Sequence, residues 1–264
     1  MVRLETRGPE SGICNICGVH SKLTDDHIPP KGVPRVGQAY LMELINFMGA
    51  ERPKKSQRLF QNGVKYRSIC ATCNNDRLGA ELDRDFVAFT VALADQLGSR
   101  LIVPISISAR HNRIARCIVG HFLAHGIDNH RRGEVGIALT DYFLDHSAMF
   151  PESLAMYYWP YPYNDQVVTN AAAGYFDFRS QKDPLFFMLM KFFPVSFLIT
   201  RGELPEIPYV VGRLDNMLTS DINDTSNIEV SVVQVPPRRW PEAPGDNGVI
   251  MHTKGATGAI RRSP

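Results

Sequence analysis

The chain has no apolar run of about 18 residues or more and no N-terminal signal pattern, so membrane insertion and secretion are not expected and a cytoplasmic protein is. Its densest apolar stretch, residues 185–199, is broken by Lys191 and Pro194. Net charge is almost nil, +2 over 264 residues, which excludes a global polycation. Any nucleic-acid contact has to come from local patches. Cysteine is scarce and odd in number, five in all, which argues against a disulfide scaffold and for a reducing compartment. No internal repeat is apparent. What remains, 44% hydrophobic and 21% charged residues, suits a globular chain of one or two domains with a sizeable core.

Four of the five cysteines fall in two C-x-x-C pairs, Cys14/Cys17 and Cys70/Cys73. Each pair is a knuckle that sets two sulfurs on one side of a metal, and two knuckles complete a tetrahedral zinc site. Such a site would clamp residues 13–18 against 69–75 and loop out the segment between them. Asp25-Asp26-His27-Ile28-Pro29-Pro30 leaves the first knuckle, and Asn74-Asn75 leaves the second. Zinc would thus bring together side chains that lie far apart in sequence.

This constellation resembles the HNH, or ββα-metal, endonucleases, and within them the zinc-stapled branch similar to the phage endonuclease VII type of junction resolvase. The likeness covers roughly residues 11–90. It implies Asp26 as a ligand of a catalytic metal, His27 as general base and Asn74 as the second metal ligand. Asp25 and Asn75 are weaker substitutes for Asp26 and Asn74. The family also implies an asparagine that positions the base from the loop before the second strand. Asn62 is best placed for it, with Asn46 second. The target implied is DNA, with RNA as the other nucleic acid, and the products are 5′-phosphate and 3′-hydroxyl ends.

The chemistry suits these residue types. A histidine titrating near neutrality can take a proton from water. A hard divalent cation stabilises charge building on the phosphate and the leaving oxygen. Carboxylate and amide oxygens favour Mg2+ or Mn2+, and four thiolates favour Zn2+, so two metals with separate tasks are expected. Arg52, Lys54, Lys55, Arg58, Lys65 and Arg67 form a run with no acid between residues 52 and 67, which reads as a phosphate-backbone track or as a solvated loop.

The expected fold is α+β. A zinc-bound ββα-metal finger occupies residues 1–97, an α+β domain with a mostly antiparallel sheet occupies 98–235, and 236–264 form a Pro/Gly-rich tail unless they wrap the body. In the finger, 22–27 and 64–70 read as strands and 74–97 as a helix capped by Asn74, with Leu78, Leu82, Phe86, Phe89 and Leu93 as its apolar stripe. Residues 40–48 read as helical turns. Beyond the finger, 109–126 reads as a helix stopped by Gly126, carrying His121 and His125 four apart and Cys117 as a small buried residue. Strand character recurs at 100–108, 153–158, 166–170, 174–178, 192–200 and 228–235. Tyr157, Tyr158, Trp159, Tyr161 and Tyr163 would either stack on bases or line a core. A membrane partner is not expected; a homodimer is compatible with the pattern. The reading from a different class is a zinc-stabilised module that binds nucleic acid or protein without catalysis.

Overall fold

The structure, a computed structural model, describes residues 4–35, 37–49, 59–99, 104–130 and 133–262. β1 (Ser11–Ile13) and β2 (His20–His27) form a hairpin around the turn that carries Cys14 and Cys17. β3 (Ala39–Glu43) runs directly into α1 (Leu44–Gly49), and β4 (Leu59–Phe60) precedes β5 (Lys65–Cys70). The backbone then winds into a π-helix, Thr72–Leu82, which continues as α2 (Asp83–Leu97). Next come β6 (Ile105–Ala109), α3 (His111–Ala124) and α4 (Glu134–Leu144). The remainder is strand-rich: β7 (Leu154–Pro160), β8 (Asp165–Tyr175), β9 (Leu185–Phe192), β10 (Val195–Arg201), β11 (Gly212–Arg213), β12 (Ser226–Val230), β13 (Val249–His252) and β14 (Thr257–Arg261).

These strands make three sheets. β1-β2-β5 is the small N-terminal sheet, and β12-β6 is a two-stranded ribbon. The large sheet runs β11-β7-β10-β9-β8-β14-β3-β4, with β13 also on β8. All pairings between strands are antiparallel, so the chain is α+β with mostly antiparallel sheets. Among the described residues, no helix is long and apolar enough to cross a membrane.

Burial follows from composition. β7 reads Leu-Ala-Met-Tyr-Tyr-Trp-Pro and is buried at every residue, as is β10 up to Arg201, because both sheet faces are covered. Tyr157, Tyr158, Trp159 and Tyr161 are buried; the aromatic group is core. α3 is buried at every residue except Arg113, so its polar groups must be satisfied internally. Asn112 donates to Thr219 and the Asp221 carbonyl, and Arg116 donates to the carbonyls of Asp145, His146 and Ala148. Gly120 permits the close approach: a Cβ there would meet Phe143 of α4 at 2.5 Å and Leu78 of the π-helix at 2.6 Å. This crossing seats α3 against the N-terminal sheet.

Several sequence expectations change. Residues 40–43 are strand rather than helix, because β3 finds a partner in β14; the helix begins only at Leu44. The two strands expected at 166–170 and 174–178 are one, β8, with an irregularity in its β9 pairing between Thr169 and Ala172. Residues 236–264 do wrap the body. Lys191 of β9 donates to both Glu242 carboxylate oxygens (2.7 and 2.8 Å) and to the Trp240 carbonyl (3.0 Å), all fully buried or nearly so. Farther on, β14 slots between β8 and β3. One hydrophobic core runs from Cys14 and Ile69 to Phe197 and Ala259.

Candidate metal and catalytic site

The two knuckles meet. The sulfurs of Cys14, Cys17, Cys70 and Cys73 all lie within 4.8 Å of one another, with Cys17 and Cys70 at 3.8 Å. A tetrahedron of sulfurs each about 2.3 Å from zinc has edges of about 3.8 Å, so the spacing fits that ion. Backbone N–H groups already point at the sulfurs, Cys70 to Cys14 at 3.3 Å and Cys73 to Cys70 at 3.5 Å. Hydrogen bonding from Cys73 and from backbone amides holds the Cys14 thiol down at about 4. Burial pushes Cys17 up to about 11, and its bond to Cys14 pushes Cys73 up further. Four sulfurs so close cannot all be thiolates unless a cation sits among them.

β2 passes this cluster and delivers Asp26 and His27. Its register with β5 slips between Thr24 and Asp25, where Ser68 is the extra residue on β5 and donates to the Ala124 carbonyl of α3 at 2.6 Å. The bulge re-aims β2 so that Leu23 and Asp26, three apart, both face inward. Asp25 faces out and pairs with Arg67 at 3.4 Å. Asp26 is 4% exposed, and its Oδ2 meets His121 Nδ1 of α3 at 3.0 Å. On the far side of that ring, His121 Nε2 meets Asp83 Oδ1 at 2.9 Å, and Cys117 donates to the same oxygen at 3.4 Å. Burial alone would lower the His121 pKa, but the two carboxylates overcome it and raise it well above the ordinary value. His121 is therefore an imidazolium donating from both nitrogens. Burial raises the Cys117 thiol to about 12, so it is a protonated donor in this network.

His27 behaves oppositely. Burial, then the charge of Lys65 opposite it on β5, and Lys31 lower its pKa, leaving a neutral ring at pH 7. Its Nε2 is buried with no hydrogen-bond partner. His27 is close enough to Asp83 for its charge to bear on that carboxyl. Asn74 comes from the π-helix: its Nδ2 donates to Thr24 Oγ1 (2.9 Å) and to the Asp25 carbonyl (3.1 Å), stapling the helix to the bulge. It is not the expected helix cap, since Ala71 holds that position. The staple leaves the amide oxygen without a hydrogen bond among the described residues. Oxygens of Asp26, Asn74 and Asp83 match the donor chemistry of a hard divalent cation.

Asn74 thus touches β2 at Thr24 and Asp25, next along the strand to Asp26 and His27. Asn62 sits exposed in the bend before β5, and Asn46 is on α1, donating to Glu43 at 3.1 Å; among the described residues neither hydrogen-bonds to His27. Of the basic run, Lys65 faces the site and Arg67 is paired, while Arg52, Lys54, Lys55 and Arg58 lie outside the described residues. Sequence reasoning missed Asp83 and the role of His121. A period of 3.6 puts Asp83 on the opposite side of a helix from Asn74, nine residues earlier. In a π-helix of about 4.4 residues per turn the two share a face, and the Asp83 N–H indeed bonds back to Leu78. Comparison of the chain with protein-family models, with curated proteins and with solved structures returns no match.

Proposed function

We propose that the chain is a metal-dependent endonuclease of the HNH type that hydrolyses phosphodiester bonds of DNA, its β2, β5 and following helix acting as a zinc-bound ββα finger. One observation carries the reading. A neutral histidine with an unpartnered nitrogen, His27, stands among hard oxygen donors and beside Lys65, on a strand end pinned by four cysteines. His27 Nε2 accepts a proton from the attacking water; a protonated imidazole could not. Lys65 and Lys31 receive the phosphodiester by charge. His121 bridges Asp26 and Asp83, and Asn74 is fixed by the bulge, so the oxygens stay in place. A magnesium or manganese ion held by Asp26 and Asn74 would neutralise charge on the phosphate and leaving oxygen.

The test uses supercoiled plasmid with magnesium, manganese or EDTA. Nicking is expected with either ion and not with EDTA. His27→Ala should lower the rate about 10²–10⁴-fold while leaving zinc content and thermal unfolding unchanged. DNA retention without nicking in any metal would instead identify a zinc-stabilised binding module.

A further inference from the structure

Besides the four cysteines, one other group of Cys, His, Asp or Glu side chains among the described residues converges closely enough to hold a metal ion. It comprises Asp83, Cys117 and His121, whose ligand atoms all lie within 4.8 Å of one another. Cys117 and His121 stand one turn apart on α3, and Asp83 is the first residue of α2. His121 Nε2 lies 2.9 Å and Cys117 Sγ 3.4 Å from Asp83 Oδ1. Around a tetrahedral zinc-sized ion those two edges would be about 3.4 and about 3.6 Å, so entry of an ion asks for an outward shift of about 0.5 Å or less.

The far side of the imidazole points the same way. Asp26 Oδ2 takes the proton of His121 Nδ1 at 3.0 Å, which presents Nε2 to Asp83 and Cys117. A carboxylate on the second nitrogen of a ligand histidine is how metal sites orient the ring. An ion pair alone needs His121 and its carboxylates; it does not call for a thiol on the same oxygen. Cys117 and His121 are 0% and 1% exposed, whereas the Asp83 side chain is 25% exposed. The group is therefore closed on the α3 side and open at Asp83, where water can supply a fourth ligand. Thiolate, imidazole and carboxylate together select zinc-class transition ions over magnesium or calcium.

We propose that Asp83, Cys117 and His121 form a second transition-metal site, for Zn2+ or Co2+, with one position open toward solvent. On binding, the ion replaces the protons on Nε2 and Sγ, which leave to solvent. Three ligands hold an ion less firmly than four thiolates, so a dialysed chain keeps one zinc and the second site fills when metal is added. The site goes beyond the nuclease reading and does not depend on it, because its test reads metal binding alone. The full zinc-loaded chain is titrated with Co2+, with magnesium in excess to occupy any all-oxygen site. Uptake of one equivalent is expected, with a thiolate-to-cobalt charge-transfer band in the near ultraviolet and no release of zinc. Cys117→Ala should remove the band, and Asp83→Asn should weaken uptake by about tenfold or more, with circular dichroism confirming the fold of each. The proposal is overturned by absence of saturable cobalt uptake below about 1 mM, by a band that appears only as zinc is released, or by the same uptake and spectrum in wild type and Cys117→Ala. The zinc-release measurement needs no variant, so a misfolded substitution does not decide the matter.

Discussion

Three buried or half-buried histidines within one small region are held in opposite states by their neighbours. His121 lies between two carboxylates and stays charged. His27 faces lysines and stays neutral. His125 has only burial acting on it, which lowers its pKa to about 4. The sign of the resulting pH dependence is fixed: with an unfolded value near 6.5, His125 favours the native state fully above that pH, and the contribution is lost as pH falls toward 4. Between pH 7 and 5 the wild type should lose about 2 kcal/mol more unfolding free energy than His125→Gln, whose amide can keep the bond to Thr257. Urea melts at the two pH values check it; equal losses would show that His125 is protonated in the native state. Much at this scale was legible beforehand. Cysteine spacing and Asp26-His27 could be read directly, since each depends on near neighbours. His121 drew notice only for lying four residues from His125. Its two carboxylate partners are 95 and 38 residues away, and nothing local encodes them.

At the scale of elements, the small sheet and the π-helix depend on the cysteine cluster. β1 has three residues and β2 buries only Leu23 and Asp26, so zinc in the cysteine cluster would add much of the order at this end. Metal analysis should find one zinc per chain. Removal by a strong chelator, or Cys70→Ser, should release amide protection across β1, β2 and β5 while the large sheet keeps its own, as read by hydrogen exchange. The crossing of α3 over the π-helix carries a second expectation. Gly120→Ala places a methyl inside the contact distance of Phe143 and Leu78, and helix propensity, which favours alanine by about 1 kcal/mol, should lose to overpacking of about 1–3 kcal/mol. A variant as stable as wild type in urea would mean that the helices separate freely. Helix α3 and the β2 and β5 strands could be foreseen from periodicity. The π-helix could not, because its apolar residues Leu78 and Leu82 satisfy either winding.

For the whole molecule, the decisive feature is that distant segments share one sheet and one core. The sequence suggested a finger, a second domain and a tail, because local composition changes near those points. Pairing of β14 with both β3 and β8 joins all three, and strand partners are chosen by long-range burial that composition does not record. The buried Lys191–Glu242 pair ties the C-terminal wrap to the sheet. Lys191→Met removes one charge and strands the other, which should cost about 3–5 kcal/mol. Lys191→Met combined with Glu242→Leu should recover much of that loss, and thermal unfolding of the two variants distinguishes a stranded charge from lost packing.

The position of β14 also bears on synthesis. β14 is flanked on both sides by strands made far earlier, β8 and β3. While the ribosome is still translating residues before Thr257, β3 lacks the neighbour that joins it to β8, and this nascent chain must hold two open edges apart until β14 emerges. The largest sheet therefore closes only after Thr257–Arg261 have left the ribosome, and a chain stalled before them would be a substrate for chaperones.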